Sequence, residues 1–402
     1  MTTRTSRSTS PSTTPFTTPL SAVTGRLDWV DVAKGACILL VVLHHASTKN
    51  LLVQLPADLA WVADGWFELS TALKPIRMPL FFVLSGLVAA PAVHRPWRVA
   101  RRRVLGPAWL HLVWLPVLVL VLAVEPTLPA NRLTGPGAVA LDLLWASTSL
   151  WFLYALAAYF VLVKLVAGLP RVPVLLVLTA VAATASYVPT EHWNRFSVVF
   201  HVVFFAVGAL APDLVHALVR WVSRVPLPVA VGAYVLTWWA LDAVLPAEPV
   251  SVLLLLAAVV GVPMGLRAAL AVRGRPARGL AWLGRRTLPV YVLHLPLLAV
   301  AVHLPLAAAL AAVADAPDLG GPLVAAVAAW LAPVVLAAAV VPLTLLAHRA
   351  LLRAGATWLF AAPAWLEPAL DRLAGLVTGL PASLAQTERR YAPPTSKNAS
   401  VT

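Results

Sequence analysis

The sequence predicts an all-α protein, a polytopic bundle of about ten transmembrane helices. Three observations predict it. Hydrophobic residues make up 60% of the chain and charged residues only 11%, whereas soluble domains carry roughly 25% charged residues. That is too little charge to coat a water-facing surface. The apolar stretches run for about 18–25 residues, the length a helix needs to cross about 30 Å of hydrocarbon. Strand-period alternation is absent, and in lipid the backbone amides must be satisfied within the chain, which leaves helices.

Taken in order, residues 1–25 are rich in Ser, Thr and Pro and are expected to form a disordered cytoplasmic lead. The first apolar run is too long, and too polar inside, for a cleavable signal, so it is expected to stay as the first helix. Spans are expected at roughly 29–52, 73–93, 104–124, 145–166, 172–189, 197–217, 226–246, 250–270, 287–312 and 322–347. Interior prolines such as Pro79, Pro116, Pro263, Pro296 and Pro333 are tolerated because neighbouring helices re-satisfy the freed carbonyls. Residues 26–350 thus read as one membrane domain. Over 351–385, Trp358, Phe360, Trp365, Leu366 and Leu370 mix with Glu367, Asp371 and Arg372. That pattern predicts an interfacial amphipathic helix on the inner leaflet, with a short eleventh crossing as the alternative. Residues 386–402 read as a disordered tail.

The formal net charge of +14 does not point to nucleic acid. The arginines fall in short loops between apolar segments, the positive-inside pattern. With the N-terminus inside, Arg95 to Arg103, Lys164, Arg171, Arg220, Arg224 and the 267–286 arginines all lie on the cytoplasmic side. Lys49, Lys74, Arg77, Arg132 and Arg195 fall opposite. Both termini are then cytoplasmic. The single cysteine, Cys37, excludes an intramolecular disulfide framework and a cysteine-based metal cluster; no metal site is expected.

Ionisable side chains inside a bilayer are costly and point to function. The first helix carries Asp31, Lys34, His44 and His45. Lys34 and His45 are eleven residues apart; eleven steps of about 100° end about 20° past three turns, so both lie on one face about 16 Å apart. Asp31 precedes Lys34 by one turn on that face, and His44 points about 100° away. On spacing alone, two readings stand: a functional stripe, or a snorkelling lysine and a hydrogen-bonded packing histidine. The stretch from Arg77 to Gly86 opens the second span with a cation and ends in Ser85-Gly86, a pair that also suits close helix packing.

The run Asp31-Val32-Ala33-Lys34 through His44-His45-Ala46 resembles the first-helix signature of the acyltransferase 3 family of membrane acyltransferases. Met78 to Gly86 is similar to the family's second-helix motif, and Trp151-Phe152-Leu153-Tyr154 to its aromatic motif. Phe204-Phe205-Ala206-Val207-Gly208 resembles its sixth-span stretch. Trp282-Leu283-Gly284-Arg285-Arg286-Thr287 with Tyr291-Val292-Leu293-His294 resembles its late element. The five motifs are collinear over about residues 26–350. Two departures stand out: Lys34 replaces the commoner Arg, losing a bidentate fork, and the fused extramembrane esterase-like domain of some members is absent.

The resemblance implies O-acylation, usually acetylation, of a carbohydrate or similar hydroxyl-bearing acceptor at the inner (cytoplasmic) membrane of a bacterium. Acyl-CoA, usually acetyl-CoA, is the co-substrate, with no permanently bound cofactor. Imidazole, with an ordinary pKa of about 6.5, suits the general base that a hydroxyl nucleophile needs. His45 is the expected base, a transient acyl-histidine the alternative. Lys34 is expected to hold the donor or polarise its thioester, with Asp31 fixing Lys34. Arg101, Arg102, Arg103, Arg285 and Arg286 are expected donor contacts, although topology alone also explains them. His44, Arg77, Ser85, Trp151 and His294 are expected on the acceptor side or in the cavity. His201 is a further candidate. The rival function is a transporter whose Lys34–His45 stripe lines a substrate or proton path; a catalytically silent assembly partner is a third reading.

Overall fold

The computed structural model describes residues 28–50, 55–124, 135–146, 148–188, 193–243, 251–316, 321–366 and 368, and these are helical with no strand among them. The helices are α1 (Asp28–His45), α2 (Ala60–Ala72), α3 (Lys74–Val93), α4 (Trp97–Ala100), α5 (Arg102–Val124), α6 (Pro136–Leu144), α7 (Trp151–Val166) and α8 (Arg171–Ala183). They continue with α9 (Trp193–Leu210), α10 (Pro212–Val222), α11 (Leu227–Asp242), α12 (Ser251–Ala271), α13 (Gly274–Gly284), α14 (Thr287–Ala301), α15 (Leu306–Ala314) and α16 (Gly321–Arg353). Six helical stretches are long and apolar enough to cross a membrane, or seven if the bent pair α10–α11 is one span. Among the remaining expected spans, α7, α8 and α14 are apolar but only 16, 13 and 15 residues long.

Three expected spans change at breaks that have a local cause. The span at 197–217 ends at Leu210, because Pro212 has no N–H and disfavours helix at Ala211, which sits at φ −130° and ψ 55°. Beyond it α10 starts afresh with proline in its first turn, and it turns through 112° into α11. The span at 287–312 stops at Ala301; Pro305 precedes α15. The span at 145–166 starts only at Trp151, after the turn through Thr148 and Ser149. The region expected as an interfacial helix is described only to 366 and at 368: α16 runs to Arg353 and a short turn of helix covers Thr357–Leu359. The carbonyls of Trp358 and Leu359 accept bonds from the indoles of Trp109 and Trp114 at 2.6 and 2.7 Å, tying this stretch back to α5. Leu370, Asp371 and Arg372, like residues 1–25 and 386–402, lie outside the described residues.

The motif glycines explain how the bundle closes around α1 and α3. A Cβ on Gly86 would come 2.1 Å from the carbonyl oxygen of Phe205, and one on Gly208 would come 2.0 Å from that of Val83. The backbones of α3 and α9 therefore touch directly, as small residues permit in membranes. Gly35 and Gly284 do the same for α1 and α13, with ideal Cβ contacts of 2.1 Å to the Leu280 oxygen and 1.8 Å to the Asp31 oxygen. Around these crossings lies the main core, with Ile38, Phe82, Leu84, Phe160 and Phe205 buried within it.

Candidate active site

Two cavities open on α1, at opposite ends. One, of about 640 Å³, is lined at the C-terminal end of α1 by His44 and His45 and at the start of α3 by Lys74 and Arg77. Trp151 of α7, Trp193 and His201 of α9, Trp238 of α11 and Tyr291 of α14 complete its working walls. The other, of about 270 Å³, is lined by Lys34 of α1, Ser85 of α3, Arg102 and Arg103 of α5, and Thr287 of α14. The shared face of Lys34 and His45 thus runs from one cavity to the other.

Aromatic contacts link the linings of the two cavities. Phe81 and Phe152 face the smaller cavity, and their rings stack at 4.9 Å. Phe152 meets Tyr291 of the larger cavity at 5.3 Å, while Phe82 meets Trp151 at 5.8 Å and His201 at 5.2 Å. Trp151 and Phe152 are adjacent in sequence yet line opposite cavities. That is what the aromatic pair of α7 does in the fold.

His45 ends α1, where the chain widens into a π turn over Ala46–Asn50, a feature frequent at functional sites. Its Nδ1 is buried with no hydrogen-bond partner, and its ring lies 4.8 Å from that of His44 and 5.2 Å from that of His294. His294 places Nδ1 at 2.7 Å from the Tyr291 carbonyl and 3.1 Å from that of Val290. A carbonyl only accepts, so Nδ1 carries the proton and neutral His294 keeps its lone pair on Nε2, which is buried and unpartnered. His201 is fixed likewise through Nδ1 to the Ser197 carbonyl at 2.7 Å. His44 turns its Nδ1 to Ser70 Oγ at 2.5 Å, and Arg77 Nη1 donates to the same Oγ and to the Ser70 carbonyl, both at 3.2 Å. Although His44 and His45 point apart along the helix, both reach the larger cavity.

The remaining expected residues divide clearly. Arg77 and Trp151 line the larger cavity, and His294 stands behind His45. Ser85 lines the smaller one while its hydroxyl donates to the Phe81 carbonyl at 2.7 Å. Of the basic residues, Arg102 and Arg103 reach the smaller cavity; Arg101 is not in its lining. Arg285, just after α13, lies 3.6 Å from buried Asp31. Arg286 packs on the Trp282 ring at 4.2 Å and donates to the Trp282 carbonyl at 3.0 Å, away from the cavity.

Sequence reasoning missed one buried polar device. Asp142 accepts the Thr148 N–H at 2.8 Å and its hydroxyl at 3.2 Å, with His111 Nε2 at 3.8 Å. This holds the turn that presents Ser149 to the larger cavity, where the Tyr291 hydroxyl donates to the Ser149 carbonyl. A signal existed, since Asp142 and His111 are both ionisable residues in apolar helices. Lys74 and Trp193 were also overlooked; Lys74 Nζ sits 3.6 Å above the Trp193 ring.

Among known proteins, residues 27–349 match a family model described as an acyltransferase domain. A similar curated protein is the inner membrane protein YcfT of Escherichia coli (strain K12), 27% identical over 202 residues, or 45% of this chain. The match covers 55% of that relative's length. No solved structure matches. With two cavities built from the collinear motifs, and a family match across most of its length, this multi-pass membrane chain belongs to the acyltransferase 3 family.

Proposed function

We propose that the protein is an integral-membrane O-acyltransferase of a bacterial inner membrane. It moves an acyl group, acetyl in the usual case, from cytoplasmic acyl-CoA to a hydroxyl of a carbohydrate-like acceptor. The observation that carries this reading is the pair of cavities joined by one helix face, a cation in one and an imidazole in the other. Lys34, Arg102 and Arg103 give the smaller cavity the charge to draw in a phosphate-bearing donor. Its volume of about 270 Å³ is below the roughly 300–1,000 Å³ of a site for a whole drug-sized ligand. It suits the narrow pantetheine arm, with the nucleotide left on the basic surface. The thioester then reaches His45 when the Phe152–Tyr291 contact parts.

In the transfer, His45 takes the proton of the acceptor hydroxyl as its oxygen attacks the thioester carbonyl. The C–S bond breaks, the thiolate leaves and takes that proton back from the imidazolium, and the products are an ester and free coenzyme A. Arg77, buried beside the same cavity, is placed to offset the developing oxyanion. The test is labelled acyl transfer by the full chain in proteoliposomes, donor outside one leaflet and acceptor beyond the other. Labelled ester with release of coenzyme A supports the reading. Movement of an unmodified solute without ester formation would replace it with the transporter.

A further inference from the structure

The larger cavity holds more positive charge than an acyl-transfer oxyanion calls for. Lys74 and Arg77 line it, and Lys49 reaches its wall, donating to Ser149 Oγ at 3.3 Å. Arg77 is only 5% exposed. Its bonds, like that of Lys49, go to neutral oxygens, and Lys74 is placed on the rings of Trp193 and Phe196. No carboxylate among the described residues comes within ion-pair distance of any of the three. Glu68, the acid in the lining, is exposed. Buried charges are paired or serve a ligand, because an uncompensated ion out of water is costly. One developing oxyanion needs one such donor set. The surplus cations ask for a second, permanent negative charge.

The opposite requirement comes from the rest of the wall. Trp151 and Trp238 add aromatic rings with polar rims to the wall, the kind of surface on which the C–H face of a sugar ring packs, while the Trp193 ring carries Lys74. At about 640 Å³ the space suits one or two small rings. Building on the acyl-transfer reading above, we infer that the acceptor is an anionic sugar, its ring laid against Trp151 and Trp238 and its carboxylate or phosphate held by Lys74 and Lys49, with Arg77 left to the developing oxyanion. The hydroxyl to be acylated then lies on the His45 side, away from the anion.

Binding tests this without any transfer. The full chain in lipid nanodiscs is titrated with D-glucuronate, glucose 6-phosphate and D-glucose while tryptophan fluorescence is followed. At least one of the two anionic sugars is expected to bind ten times or more tightly than glucose, and the stronger of the two tells carboxylate from phosphate. In Lys74→Gln that preference falls below about threefold while glucose binding is unchanged. Equal binding of all three sugars, binding of none, or a preference that survives in a folded Lys74→Gln overturns the inference. The comparison of sugars needs only the wild-type chain, so a variant that fails to fold does not remove the test. If anionic sugars bind but no ester forms, the acyl-transfer reading fails and the anion site stands; if ester forms equally well on neutral sugars, the reverse holds.

Discussion

Replacing His45 by alanine separates chemistry from packing. A positioned general base contributes about 100- to 10,000-fold in rate, or about 3–5 kcal/mol of barrier, and that is the loss of turnover expected. The stability cost is expected to be small for structural reasons. The ring makes no described hydrogen bond, and its Nδ1 is buried without a partner, a situation that costs about 1–3 kcal/mol. Removing the ring removes that penalty, which offsets the lost ring contacts with His44 and His294. The space vacated joins a cavity of about 640 Å³ rather than leaving an isolated void. The net change is therefore within about 1 kcal/mol. His44→Ala should show the opposite balance: it breaks the 2.5 Å bond to Ser70, which also anchors Arg77, costing about 0.5–1.5 kcal/mol, but leaves the base in place. Thermal unfolding in detergent and single-turnover acyl transfer are measured for both. If His45→Ala is the less stable of the two and its folded fraction transfers acyl groups at the wild-type rate, His45 is a packing residue and the mechanism is wrong.

On the donor side, Lys34→Arg should keep most activity and Lys34→Ala should raise the donor KM; Arg102→Gln with Arg103→Gln should weaken coenzyme A binding about tenfold, whereas Arg286→Gln leaves it unchanged. Titration of coenzyme A against each variant checks the ranking. Gly208→Ala forces a Cβ to 2.0 Å from the Val83 carbonyl, so the α3–α9 crossing must separate; the loss is expected at or above the upper end of the about 1–3 kcal/mol typical of overpacking, read as yield and melting temperature. Because Cys37 is buried and is the chain's single cysteine, labelling reports topology cleanly. A cysteine in place of Asp315 should react with an impermeant thiol reagent in intact cells and one in place of Arg275 should not, and the reverse would invert the orientation. Asp142→Ala frees the Ser149 turn, which belongs to the larger cavity alone; acceptor KM should rise several-fold with donor KM unchanged, and an equal rise in both would make Asp142 merely structural.

Much of the membrane domain was legible because apolar length is a strong signal, and every expected span has a helix at its centre. What failed was the reading of ends. Hydrophobicity does not fall at Ala211 or at Val302, so only the prolines at 212 and 305 marked the breaks, and prolines elsewhere, as at 79 and 263, sit inside intact helices. The short helices α10 and α13 were not separated out either: α10 begins inside the expected 197–217 span, and α13 lies between spans, where apolar length carries no information. In the site, the Lys34–His45 stripe was readable because both residues ride on one helix whose period is fixed. Trp193 and His201 of α9, Lys74 of α3 and Tyr291 of α14 come from three other helices, and no periodicity within one helix brings the three together. Asp31 shows the same limit: Arg285, distant in sequence, lies 3.6 Å from its carboxylate, and no spacing within α1 announces that neighbour.

The distribution of charge makes the two ends of the molecule unequal as arguments. Arginines at the basic end have two explanations, the orientation expected from the sequence and the proposed phosphate-bearing donor. Their presence alone therefore cannot separate the two causes, and only the placement of Arg102 and Arg103 in a cavity favours the second. At the other end the orientation rule works against cations, and few occur. Those few are not scattered: of the five outward cations read from the sequence, Lys74 and Arg77 line the larger cavity and Lys49 bonds its wall. Arg195 instead donates to the Trp145 carbonyl at 3.4 Å, and Arg132 lies outside the described residues. Charges that the expected orientation disfavours, gathered around one aromatic-walled space with no carboxylate at ion-pair distance among the described residues, fit the proposed anionic acceptor. On the proposed reading, the charges therefore argue more directly for the acceptor than for the donor.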